Sequence, residues 1–218
     1  AEIANKPDVV LTSVAGNEKA IGYISLGALN NTVKAVKVDG AEATVDNVKA
    51  GAYKLSRPFN IATKGEPTGV AKDFISFILS KEGQAVVTDN KYIAVNDEAE
   101  SFVSDGSSGQ IAVGGSSSVS PVMEKLIEAY KSVNPNASID LQTSDSTSGM
   151  TGAMDGTFAI GMASRELKDE EAAQLTGTAI ALDGIAVIVN PANTIDELSM
   201  DQIKSIYVGD ITDWGDLA

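Results

Sequence analysis

The chain has 218 residues, 43% of them hydrophobic, with 30 acidic against 16 basic side chains and a net charge of −14. That length can bury a substantial core, but so acidic a surface is a poor match for nucleic acid, which selects clustered Lys and Arg. There is no cysteine and no histidine, which excludes disulfides, Cys/His zinc sites and every histidine-dependent triad.

The opening residues, AEIANKPDVV, have neither a basic start nor an apolar run of the signal-peptide kind. No apolar stretch approaches the roughly 20 residues needed to span a bilayer. In chain order, strands are expected at 8–12 (DVVLT), 20–26 (AIGYISL), 33–38 and 59–63. A helix is expected over 69–87, where Val70, Phe74, Ile75, Phe77 and Ile78 fall on one face. A strand at 92–95 precedes residues 96–109, NDEAESFVSDGSSG, which are acidic and then Gly/Ser-rich. This stretch reads as an exposed linker, with 105–109 lacking regular structure.

Beyond the linker, strand 110–113 leads into helix 121–133, whose apolar stripe is Val122, Met123, Leu126, Ile127, Tyr130 and Val133. Strand 138–142, helix 148–155, strand 158–163, helix 168–175, strands 178–182 and 184–189, and helix 199–207 follow. Alternation of this kind predicts an α/β fold with mostly parallel sheets.

Three strand-to-helix turns carry candidate chemistry. In GGSSSVSP (114–121) the strand is expected to end at Val113, the glycines to make a tight turn and Pro121 to sit in the first helical turn. Free N–H groups at a helix start bind anions, and hydroxyls add donors; the plainer alternative is serine capping of the helix. Ser144-Asp145-Ser146-Thr147-Ser148-Gly149 repeats this chemistry. Two such turns after two parallel strands lie at one sheet edge, where open α/β sheets bind ligands. Third, strand 158–163 delivers Ser164 and Arg165. Arg165 suits a bidentate oxyanion contact, or else pairs at the surface with Glu166 or Asp169. No GxxxxGK[ST] loop, catalytic carboxylate pair or EF-hand spacing is present, and Ser146 has neither a histidine base nor a Ser-x-x-Lys partner for hydrolase chemistry. Neither a cofactor nor a metal is expected.

Together, GGSSSVSPVMEKL, SDSTSGMTGAMDGTFAIGMASRELKDEE, DGIAVIVNPAN, DQIKSIYVGDITDW, EKAIGYISLG and YKLSRPFNIATK resemble the PstS-type phosphate-binding proteins of bacterial phosphate ABC transporters. The resemblance covers nearly everything outside 96–109. It implies a two-lobe periplasmic-binding-protein-like fold of type II, extracytoplasmic, non-enzymatic, and partnered by an ABC permease. Lobe one is expected at 56–182 and lobe two at 1–55 with 183–218, with hinge crossings near 54–57 and 182–184. The phosphate donors it implies are Ser117, Ser118, the Val119 N–H, Ser146, Ser148, Ser164 and Arg165. Some relatives carry Asp at the Arg165 position.

The segment order differs from the family pattern. The GGSSS-type segment opens the family's mature proteins, yet here it follows the AIGYISLG and RPFNIATK segments, as in a circular permutant or a piece of a tandem protein. A Ser-Gly-Thr-Arg turn, placed in the family between segments matching 214–217 and Glu2-Ile3-Ala4-Asn5, is not found in the sequence; TSVAGNEK (12–19) has no arginine to replace it. The expectation is therefore weak phosphate binding by this chain alone. The alternative is a truncated, permuted or engineered scaffold with weak or no binding.

Overall fold

The computed structural model describes residues 7–217. Its elements in chain order are α1 (Pro7–Ala15), β1 (Ile21–Ser25), β2 (Lys34–Ala35), β3 (Lys37–Val38), α2 (Val45–Lys49), β4 (Ser56–Thr63), α3 (Gly69–Leu79) and α4 (Lys81–Asp89). There follow β5 (Gly109–Ser116), α5 (Ser120–Val133), β6 (Ala137–Ser144), α6 (Ser146–Asp155), β7 (Ile160–Ala163), α7 (Asp169–Ala172), β8 (Thr176–Val189), β9 (Glu197–Leu198) and α8 (Met200–Val208). The fold is mixed α/β. The segment Glu2-Ile3-Ala4-Asn5 lies outside the described residues.

The chain divides into two compact units. A contiguous unit spans Arg57–Leu182, and a split unit takes the chain up to Ser56 and from Asp183 onward.

In the contiguous unit the strand order is β8-β4-β7-β5-β6. β5 runs parallel to β6 from Gly109↔Ala137 to Ser116↔Ser144 and parallel to β7 through Gly115↔Met162. β4 is antiparallel to β7. Phe59, Ile61, Val113, Ile160 and Met162 point to one face, where Phe74, Phe77 and Ile78 of α3, Val87 of α4 and Met123, Leu126 and Tyr130 of α5 cover them. Their strand neighbours Ala62 and Ala163 point to the other face and meet Met150 and Ala153 of α6. Alternation along the strands thus sorts the helices into two layers.

The expected helix over 69–87 is two helices, α3 and α4, parted at Ser80. Ser80 is extended and caps α4 by accepting the Gly83 N–H at 3.2 Å. The 92–95 strand reduces to a single bridge, Ile93↔Leu182.

Residues 96–108 have no helix or strand, whereas Gly109 already belongs to β5. The segment is nonetheless tied down. Phe102 packs edge-on to Phe77 with ring centroids 5.3 Å apart, and its N–H donates to Glu82. Asp73 of α3 is a buried carboxylate that accepts from Tyr130 Oη (2.6 Å), Ser104 Oγ (2.8 Å), the Asp105 N–H (2.9 Å) and Asn134 Nδ2 (3.1 Å). Burial alone would raise its pKa; these four donors hold it below the usual carboxylate range.

In the split unit, β1 pairs antiparallel with residues 185–189 of β8 and β2 with 188–189, and β3 pairs in parallel with β9. The expected strand at 8–12 is instead part of helix α1. Its β-branched residues favour strand locally, but Leu11 and Val14 form one buried face. Val10 and Val14 lie within 3 Å of where a Cβ on Gly22 would be, so the helix sits on β1 at the position without a side chain. Tertiary packing overrides local propensity here. The strands expected separately at 178–182 and 184–189 are one, β8, continuous through Asp183, which accepts the Ser25 hydroxyl at 2.5 Å.

Candidate functional site

β5, β6 and β7 are adjacent and parallel, so their carboxyl ends share one edge of the contiguous unit's sheet. Ser117 follows β5, Ser146 opens α6 just past β6, and Ser164 and Arg165 follow β7. The structure ties the three turns together. The Ser117 N–H donates to the Ser144 carbonyl at 2.9 Å. The Ser164 N–H donates to Ser146 Oγ at 3.1 Å, and Arg165 Nη2 reaches Thr147 Oγ1 at 3.5 Å.

Glycines set the spacing of this edge. Gly114 and Gly115 lie within β5 rather than in a turn beyond Val113. Gly115 has φ +134°, and a Cβ there would run into the Met162 carbonyl and lie 2.9 Å from Gly149 Cα. A Cβ on Gly149 would in turn lie 2.6 Å from that carbonyl and 2.7 Å from Gly115 Cα. A side chain on Gly114 would strike the Phe158 ring. These glycines let α6 lie directly on β5 and β7, a use of glycine for close backbone approach.

The first turn does not use its serines as caps. α5 begins at Ser120 after Val119, and no side chain caps it. Among the described residues, neither the Ser117 nor the Ser118 hydroxyl has a hydrogen-bond partner. Ser117 is exposed and Ser118 half-buried. The Val119 N–H, expected as an open donor, is engaged within the turn, donating to the Ser116 carbonyl at 3.0 Å. A further pair, Thr143 Oγ1 to Ser120 Oγ at 2.9 Å, fastens this helix start to β6.

The second turn is capped, and by an acid. Asp145 Oδ1 accepts the N–H groups of Thr147 (2.8 Å) and Ser148 (3.0 Å), and its Oδ2 accepts the Ser148 hydroxyl (2.7 Å). The Ser148 side-chain bond leads the effects that hold Asp145 below the ordinary carboxylate range. Ser148, expected as a ligand donor, is therefore committed to the cap. Ser146 accepts from Ser164, which leaves its own O–H free to donate.

Arg165 pairs with neither Glu166 nor Asp169 through a carboxylate. Its Nη1 and Nη2 lie 2.7 and 2.8 Å from the two oxygens of Glu171, and Nη1 also donates to the Glu166 carbonyl at 2.9 Å. Glu171 is 3% exposed and Arg165 30%. These hydrogen bonds hold the Glu171 pKa down and raise that of Arg165. The sequence reading missed Glu171. Its one local signal is a capping-box glutamate, and the partner position holds Lys168 rather than Ser or Thr.

The family model described as a PBP superfamily domain matches residues 1–82 and 101–218. The chain is 51% identical to phosphate-binding protein PstS 2 of Streptococcus agalactiae serotype V, over all of this chain and 75% of the relative. It is 49% identical to phosphate-binding protein PstS 2 of Streptococcus pneumoniae serotype 4, over 98% of this chain and 74% of that one. Among solved structures, the phosphate-binding protein of a phosphate ABC transporter from Streptococcus pneumoniae TIGR4 superposes with a TM-score of 0.93 at 48% identity, covering 100% of this chain and 85% of that one. The chain belongs to the PBP superfamily, and within it to the PstS-type phosphate-binding proteins.

Proposed function

We propose that this PstS-type chain captures inorganic phosphate, or a closely similar oxyanion, for an ABC importer, and that Ser117, Ser118, Ser146, Ser164 and Arg165 form its donor edge. The observation that carries this reading is the meeting of three parallel strand ends whose hydroxyls, at Ser117 and Ser118, cap no helix. Dehydrated donors act at contact distance, whereas the chain's negative surface is screened over about 8–10 Å. The streptococcal relatives are phosphate-binding proteins, which supports phosphate as the ligand and a permease as the partner. An extracytoplasmic setting goes with that role. Among the described residues no helix is long and apolar enough to cross a membrane.

The reading is of capture without chemistry. The relatives that the chain resembles are named as binding proteins, which supports that reading. The two lobes are placed at 56–182 and at 1–55 with 183–218; division of the chain after Ser56 and after Leu182 supports them. One alignment with the Streptococcus agalactiae relative runs through the whole chain, which favours a segment order native to such relatives over an engineered one.

Two observations favour weak binding by this chain alone: Glu171 balances the Arg165 charge, and the Asp145 carboxylate sits at the start of α6. Calorimetric titration with inorganic phosphate at low salt tests the proposal. The expected result is saturable binding weaker than micromolar that Ser118→Ala reduces. No binding at any concentration would overturn phosphate capture by these donors. Submicromolar binding would require a donor set beyond this one.

A further inference from the structure

We propose a second ligand site at the opposite end of the contiguous unit's sheet: a small cleft between β4, β8 and α3 that takes a primary alkylammonium group.

β4 runs antiparallel to β7, with Asn60↔Ala163 and Ala62↔Gly161 in register. Thr63, the last residue of β4, is therefore level with the amino end of β7, whereas Ser164 and Arg165 follow its carboxyl end. β8 is the neighbour of β4 on its other side. Along each strand, residues two apart share a face. Ile61 and Thr63 of β4 and Thr176 and Thr178 of β8 line one cleft of about 200 Å³, together with Ile75 of α3. Gly65, at φ +70°, turns the chain after β4. Glu66 and Pro67, which follow it, complete the lining.

The lining sets the chemistry of the ligand. Thr63 is only 6% exposed, and its hydroxyl proton goes to the Gly65 carbonyl at 3.2 Å. Toward a ligand that oxygen can only accept. Among the described residues, Glu66, Thr176 and Thr178 have no side-chain hydrogen bond or ion pair. Glu66 is the one charged side chain of the lining. The adjacent cation is engaged elsewhere: Lys64 Nζ donates to the Met154 carbonyl, in the last turn of α6, at 2.6 Å. A carboxylate, a hydroxyl restricted to accepting and two uncommitted hydroxyls together match a positive group rich in N–H donors. An ammonium offers three donors and no acceptor. Ile61, Ile75 and Pro67 supply apolar wall for a short hydrocarbon stem, much as the stem of a lysine lies along apolar surface. The volume falls below the about 300–1,000 Å³ of pockets for drug-sized ligands, so the stem is a few carbons long.

Titration of the full chain with n-butylammonium, followed by backbone amide shifts in NMR, tests this. Expected is saturable binding in the millimolar range. The shifts should be confined to 61–67, 75 and 176–178, and those of Ser117, Ser146 and Ser164 should not move. Affinity should rise about threefold per methylene from ethylammonium to butylammonium, because the cleft buries each methylene in part. Glu66 lies in an exposed loop, so Glu66→Gln folds as the unmodified chain does. It should weaken butylammonium binding about fivefold, and butan-1-ol should bind to the unmodified chain more weakly by a similar factor. Thr178→Val keeps the side chain's shape and should cost about threefold. Titration with inorganic phosphate should be the same in both variants, which keeps this site separate from the phosphate edge.

The ammonium can belong to a free amine or to a lysine of another protein. N-acetyl-lysine methylamide distinguishes the two: binding as tight as that of butylammonium assigns the group to a lysine, and much weaker binding assigns it to a free amine. Either result supports the cleft as an alkylammonium site. Butan-1-ol binding as tightly as butylammonium, unchanged affinity in Glu66→Gln, or shifts at the other edge of the sheet would overturn it.

Discussion

The turn before α5 and the turn before α6 have nearly the same composition, and the fold uses them differently. Before α6, Asp145 takes two backbone N–H groups and a hydroxyl, so the helix start is satisfied from within the chain. Before α5, Val119 occupies the cap position, no side chain caps the helix, and two serine hydroxyls remain uncommitted. A run of serines therefore says little by itself. Whether a carboxylate stands at the cap decides if a helix start is closed or left for a ligand.

The two turns are most vulnerable where they touch. Gly115→Ala or Gly149→Ala places a methyl against backbone, not against a side chain that could swing away. Each should cost about 3 kcal/mol or more in chemical denaturation and disturb both turns together. A loss below about 1 kcal/mol would mean that α6 can lift from β5 freely.

Next in size is Arg165→Ala, which leaves Glu171 buried without its cation. A fully buried pair broken this way costs about 3–5 kcal/mol. Because Arg165 is 30% exposed, about 2 kcal/mol is expected, together with loss of phosphate binding. Calorimetry and a melting curve on one sample separate the two effects.

Acid gives a smaller and graded effect. Asp145 and Glu171 both have folded-state pKa values below their ordinary ones, led by the Ser148 hydrogen bond in the first case and the Arg165 hydrogen bonds in the second. A lowered carboxylate stabilises the fold above its unfolded pKa of roughly 4, and that contribution disappears as pH falls through the folded value. Melting temperature should therefore drop on acidification below about pH 4, and Glu171→Gln should flatten part of the drop. An unchanged acid limb in that variant would remove Glu171 from the account.

The smallest expected effect separates the two turns most cleanly. Ser118→Ala should leave stability within about 0.5 kcal/mol and weaken phosphate binding about tenfold. Ser148→Ala should do the reverse, with a slightly lower melting temperature and unchanged phosphate binding. If the two variants behave alike, the distinction between an open and a capped helix start is wrong.

Much of this was legible in the sequence because it depends on period and order. The stripes of α3 and α5 predict helices whose apolar faces are largely the buried ones, except at Val133, which is 49% exposed, and parallel strands before Ser117, Ser146 and Ser164 bring those residues to one edge. What was not legible depends on contacts between distant residues. DVVLT reads as strand until Gly22 supplies a seat for a helix. Gly114 and Gly115 read as a turn until α6 is seen to need the space they leave. Arg165 and Glu171, six residues apart, would not touch along a helix or an extended strand, so only the fold brings them together. Asp145 was visible as a letter, but its role as cap is a matter of dihedral angles.

The anchored segment 96–108 bears on how such a chain can change over time. It has the composition of a spacer, yet Phe102 fills a slot beside Phe77, and Ser104 and the Asp105 backbone satisfy a carboxylate buried in α3. Val103, between them, is 86% exposed and touches little. Mutational drift should therefore be uneven along it, free at Val103 and constrained at the two side chains that hold the strap in place.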